Sequence, residues 1–77
     1  MQTLFDLKIG QKCQICEILI YDSMRRRLID LGITPKSTIK CVGKSMCGDP
    51  KSFLINGAVI ALRKEISQKI TITEAIK

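Results

Sequence analysis

The chain has 77 residues, 45% hydrophobic and 26% charged, with 13 lysines and arginines against 7 aspartates and glutamates and a net charge of +6. That length predicts one domain over 1–77 with one modest core, and leaves no room for a catalytic domain plus a second module. Histidine and tryptophan are absent, which removes the commonest general base and the commonest nitrogen ligand of metals, so an enzyme is not expected, while the cationic excess favours an anionic partner.

In chain order, Leu4, Leu7 and Ile9 lead to Gly10, which predicts a turn ahead of the first long strand. Residues 13–20 read as that strand, rich in β-branched side chains and alternating Cys13 and Ile15 with Gln14 and Cys16. The phase slips after Cys16, where Ile18, Leu19 and Ile20 are consecutive, and this predicts a bulge or burial on both faces. Asp22 or Ser23 caps a helix over 24–31 that Gly32 stops. Met24, Leu28 and Leu31 fall within about 60° of one another on that helix, one stripe predicted to face the core. Arg27 borders the stripe, and Arg26 lies opposite, four residues before Asp30 and able to pair with it.

Thr34-Pro35-Lys36-Ser37 is a turn signal, 38–42 a second strand, and 43–51 a loop containing Cys47-Gly48-Asp49-Pro50. The strongest local signal is Asn56-Gly57 between the apolar strands 52–55 and 58–62, the preferred composition of a type I′ hairpin turn. A short turn or 3-10 segment over 63–68 and a closing strand over 70–73 complete the chain. Five short strands with one early helix predict an all-β fold, a small, partly open five-stranded barrel whose helix at about 24–31 covers one end.

No residues present a catalytic pattern. The seven carboxylates show no paired spacing, no Gly-x-Ser-x-Gly elbow occurs, and no cofactor motif is present. Gly43-Lys44-Ser45 looks like the tail of a phosphate-binding loop, but Thr38 stands where that loop needs glycine. Cys13 and Cys16, with Cys41 and Cys47, could form a four-thiolate metal site. Against it, five residues separate the second pair, and residues three apart on a regular strand point to opposite faces, so Cys13 and Cys16 cannot both face one ion without a bulge. As small, idle hydrophobes the four need no metal.

Arg25-Arg26-Arg27 is the focus of the basic charge. The first turn of a helix disfavours cations, so the run breaks a local rule and marks a partner-binding candidate, unless it is a solvated face. Nucleic acid is not the expected partner, because Phe5, Tyr21 and Phe53 are scattered in the sequence and offer no stacking platform. The opening residues carry no basic stretch with an apolar run, and the longest apolar runs, 18–21 and 58–62, fall far below the ~20 that span a bilayer. No lipidation motif occurs at either end. The chain is expected to be cytoplasmic, without direct membrane insertion, and its cysteines to be thiols.

Four segments carry a resemblance: Leu4-x-x-Leu7-x-x-Gly10; Arg26-Arg27-Leu28-Ile29-Asp30-Leu31-Gly32-Ile33-x-Pro35; Gly48-Asp49-Pro50; and Asn56-Gly57-Ala58-x-Ile60-Ala61-Leu62-Arg63. In order and spacing, from Leu4 to about Ile72, they closely resemble the ferrous-iron-transport protein A (FeoA) family. The resemblance implies an SH3-like β-barrel and a cytosolic accessory role beside FeoB, a membrane iron transporter with a GTP-binding domain. It also implies no catalytic residues and no agreed metal site. The same domain ends iron-dependent repressors of the diphtheria-toxin-repressor type; no helix-turn-helix precedes it here, so the standalone transport form is expected. Two departures stand out. The family usually has Pro-Gly where this chain has Pro35-Lys36, and lysine dislikes the positive φ of a type II turn, so a type I turn is expected. The four cysteines also lie outside the family's usual pattern. Three functions thus compete: an interaction module for the transporter's cytosolic GTP-binding region, a nucleic-acid-binding small barrel, and a cysteine metal site for storage or sensing. The first is the expected one.

Overall fold

The computed structural model describes residues 2–73. Strands β1 (Lys12–Ile18), β2 (Thr38–Lys44), β3 (Lys51–Ile55), β4 (Ala58–Leu62) and β5 (Ile70–Ile72) form one antiparallel sheet in the order β4-β3-β2-β1-β5. A 3-10 turn (Leu4–Asp6) precedes β1, helix α1 (Ser23–Asp30) joins β1 to β2, and the single turn α2 (Lys64–Ser67) joins β4 to β5. The sheet curls without a ladder between β4 and β5, which gives the partly open barrel that the strand pattern predicts.

The phase slip in β1 is a bulge. The ladder to β5 steps from Ile15–Ile72 to Glu17–Thr71, so Cys16 and Glu17 are both exposed and Ile18 returns to the core. The strand ends at Ile18, short of residue 20, and Leu19 is exposed between buried Ile18 and Ile20. Burial on both faces is therefore ruled out.

Helix α1 begins where Asp22 Oδ1 accepts the Met24 N–H at 2.9 Å. It ends in a Schellman turn: Ile33 N–H donates to the Leu28 C=O and Gly32 N–H to the Ile29 C=O, both at 2.9 Å, with Gly32 at φ +97°. This turn corrects the predicted apolar stripe. Leu28 is buried and Met24 half-buried, but Leu31 is 47% exposed. The chain reverses at Gly32 and sends Ile33 into the core in its place.

The Pro35-Lys36 turn is also corrected. Ser37 N–H donates to the Thr34 C=O at 3.0 Å, and Lys36 has φ +75°, the left-handed third position of a type II turn. Tertiary bonds impose it, at a cost of about 1 kcal/mol to lysine. Lys36 N–H donates to the Ile15 C=O at 2.8 Å and Ile15 N–H to the Ser37 C=O at 2.9 Å, docking the turn on the start of the β1 bulge. The hairpin needs no correction: Asn56 at φ +51° and Gly57 at φ +78° make the type I′ turn.

Candidate interaction surface

The three arginines of α1 have three different environments. Arg25 is half-buried and reaches back to the end of β1, donating from Nη1 to the Ile18 C=O at 2.7 Å and to the Ile20 C=O at 3.4 Å. Its guanidinium also lies 5.5 Å from the centre of the Tyr21 ring. Those carbonyl dipoles offset the cation's unfavourable place in the first turn, so the broken local rule has an internal answer at this position. Arg26 pairs with Asp30 at 3.9 Å, both side chains well exposed, as their spacing predicts.

Arg27 stands over a groove of about 270 Å³. Met24, Arg27, Leu28 and Leu31 of the α1 segment line one wall; Ala61, Leu62, Arg63 and Ile66 line the other. The floor is apolar and the rim carries two guanidiniums. Among the described residues neither Arg27 nor Arg63 has a carboxylate within ion-pair distance. Leu31, displaced from the core, is thus a wall of this groove. Arg63-Lys64 is visible in the sequence as a minor basic pair, but nothing local sets Arg63 opposite Arg27. The groove exists only because β4 and α2 return beside α1.

The cysteines are not gathered. Cys13 and Cys41 are buried, Cys16 and Cys47 exposed. The bulge leaves Cys13 and Cys16 on opposite sides of β1, and Cys41 Sγ donates to the Gly43 C=O at 3.7 Å. Among the described residues no group of three or more histidine, cysteine, aspartate or glutamate side chains is placed to hold a metal. Burial, and secondarily the neighbouring Cys16, pushes the Cys13 thiol from 9.0 up to about 11. It is poorly suited to supply a thiolate at neutral pH.

Other cations serve the fold. Lys51 Nζ donates to the Phe5 C=O at 2.6 Å and the Leu7 C=O at 3.0 Å, and lies 4.9 Å from the centre of the Phe5 ring, holding the 3-10 turn against β3. Gly43 and Lys44 belong to β2, so the fragment that looks like a phosphate-binding loop has no helix behind it.

The family model for the FeoA domain matches residues 2–74. The chain belongs to the FeoA family. Among solved structures it is similar to iron(II) transport protein A from Clostridium thermocellum, with a TM-score of 0.88 and 25% identity over 92% of this chain and 44% of that one. FeoA from Chlorobium tepidum gives 0.87 and 28% over 92% of this chain and 68% of that one. A zinc complex of FeoA from Stenotrophomonas maltophilia, characterised as a prokaryotic SH3 domain protein and a candidate activating factor of ferrous iron transport, gives 0.80 and 22% over 95% and 91%. At that identity the likeness speaks for the SH3-like fold alone. The chain thus spans about half the length of the Clostridium thermocellum protein. No curated protein sequence matches it.

Two of the FeoA-like segments meet in space. A Cβ on Gly32 would overlap the side-chain amide of Asn56, so the β3–β4 hairpin tip seats directly on the end of α1. A side chain at position 32 would force the hairpin tip away from the helix end. Among the described residues no helix is long and apolar enough to cross a membrane.

Proposed function

We propose that this FeoA-family chain is a cytosolic accessory protein of ferrous-iron uptake that binds the cytosolic GTP-binding region of a FeoB-type transporter. The observation that carries this reading is the groove between α1 and β4, an apolar floor between the guanidiniums of Arg27 and Arg63, which have no ion-pair partner among the described residues. Such a site suits an apolar anchor flanked by carboxylates on a protein partner. Arg26 lies outside the groove and pairs with Asp30, and the Arg25 guanidinium is engaged within the chain, which leaves Arg27 as the member of the run that faces the groove. Family membership supports the iron-uptake setting, and the characterisation of the Stenotrophomonas maltophilia relative as a candidate activating factor agrees with an accessory role. No arrangement of side chains described above performs acid–base or nucleophilic chemistry.

The test is a parallel titration at ~150 mM salt, where a surface charge is screened within about 8 Å, against a transporter fragment and a random oligonucleotide. Binding to the fragment, with Arg27→Ala and Arg63→Ala slowing association and flattening its salt dependence, is the expected result. Oligonucleotide binding that falls steeply with log[salt], with no binding to the fragment, overturns the proposal in favour of a nucleic-acid-binding barrel.

A further inference from the structure

The two edges of the sheet differ. The β5 edge is covered: Thr3 bridges to Thr71, and Ile72 N–H donates to the Gln2 C=O at 3.0 Å. The β4 edge is bare, with no backbone bond from any described residue outside its ladder to β3. Register identifies the open groups. A two-residue type I′ turn makes its flanking residues, Ile55 and Ala58, a hydrogen-bonded pair, and every second pair beyond follows. Phe53–Ile60 and Lys51–Leu62 are therefore bonded, and the N–H and C=O groups of Val59 and Ala61 point away from β3.

Nothing in β4 blunts this edge. Natural sheet edges are protected by lysine, proline, a bulge or a covering segment. Ala58–Leu62 has no charge and no proline, pairs with β3 without a register shift, and leaves Val59 63% exposed. The two bulges of the sheet fall elsewhere, in the β1–β5 and β2–β3 ladders.

We propose that the β4 edge binds an extended, acidic segment of a partner protein, which adds a strand to the sheet by pairing with Val59 and Ala61. Ala61 also lines the groove, so one face of the added strand lies over the apolar floor and meets Arg27 and Arg63. Those two cations, without an ion-pair partner among the described residues, select the occupant. An acidic segment satisfies them; a second copy of the chain offers a β4 with no carboxylate and brings a further net charge of +6. Main-chain pairing supplies affinity, and alternate side chains supply specificity. The partner's identity rests on the function proposed above; the mode of binding does not.

The experiment follows amide exchange by NMR on isotope-labelled protein with an acetylated, amidated octapeptide of alternating glutamate and valine. Saturating peptide slows exchange at the Val59 and Ala61 amides by about tenfold or more. The same peptide N-methylated along its pairing edge binds at least about tenfold more weakly, since every 1.4 kcal/mol of lost bonding is tenfold. Ala61→Pro, whose lost N–H faces outward, keeps the fold and loses the peptide; should it not fold, the N-methylated peptide still decides. The proposal is overturned if millimolar peptide leaves both amides unprotected, or if N-methylation is without effect. It is equally overturned if the amides become protected with rising protein concentration alone, because the edge then pairs with a second copy. A transporter fragment that binds while leaving these amides open sinks the edge mode and spares the proposed function. Peptide protection without fragment binding does the reverse.

Discussion

Replacing Arg25 with alanine separates a structural arginine from an interaction surface. The bond to the Ile18 carbonyl, 2.7 Å in a half-buried setting, is of the charged kind that contributes about 1.5–3 kcal/mol. The second bond, at 3.4 Å to Ile20, adds little. Contact with the exposed Tyr21 ring contributes about 0.5–1 kcal/mol. Against these, alanine removes a cation from the first turn of α1, a gain of about 0.3–1 kcal/mol. The expected net loss is about 2 kcal/mol. It appears in urea unfolding as a lower midpoint with an unchanged slope. Arg25→Lys keeps the charge but loses the planar fork, and falls between the two. Arg26→Ala removes only an exposed pair and stays within about 0.5 kcal/mol of the parent. The reasoning is refuted if Arg25→Ala is as stable as the parent chain, or if Arg26→Ala costs as much.

Leu28→Ala, at the one fully buried position of the α1 stripe, should cost about 2–5 kcal/mol by the same assay; a loss under about 1 kcal/mol would mean that α1 does not seal the core. Lys36→Gly should raise stability by about 0.5–1 kcal/mol, the relief of a left-handed lysine less the added unfolded-chain entropy, and a fall in melting temperature would contradict the type II turn. With a thiol-specific chromogenic reagent at neutral pH, Cys16 and Cys47 should react at once while Cys13 and Cys41 wait for unfolding, a difference read by peptide mapping. Because the folded chain holds the Cys13 proton up to about 11 and the unfolded chain only to 9.0, its stabilising contribution is complete below pH 9.0 and is lost as pH rises towards 11. Cys13→Ala should flatten that decline, and an unchanged slope would show that burial does not perturb the thiol.

Much of the fold was legible in short stretches of sequence. Asn56-Gly57 specifies its turn because two consecutive positive φ values suit asparagine and glycine, and the β4 boundaries follow from that turn alone. Asp22 and Gly32 bracket α1 for equally local reasons, a side-chain oxygen for an orphan N–H and a left-handed stop. The slip after Cys16 marked the bulge. The candidate surface was half legible: Arg27 stood out within a basic run, whereas Arg63 and Leu31 gave no signal of their part in it.

What local sequence determined was the inventory: five strands, a capped helix, a hairpin, and the motif order that places the chain in its family. What tertiary structure decided was every choice between two locally acceptable outcomes. Leu31 fits a helical core stripe, but the Schellman turn spends the inward position on Ile33. Lys36 prefers a type I turn, but two bonds to Ile15 across the sheet outweigh about 1 kcal/mol of backbone strain. Arg25 is one of three like cations until the end of β1 brings two carbonyls within reach. The groove and the bare β4 edge belong to no segment of the chain, since each is made where residues distant in sequence close on, or fail to cover, one another. Preferences encoded within a few residues amount to about a kilocalorie each, and long-range packing and hydrogen bonding overrule them wherever the closed fold supplies more.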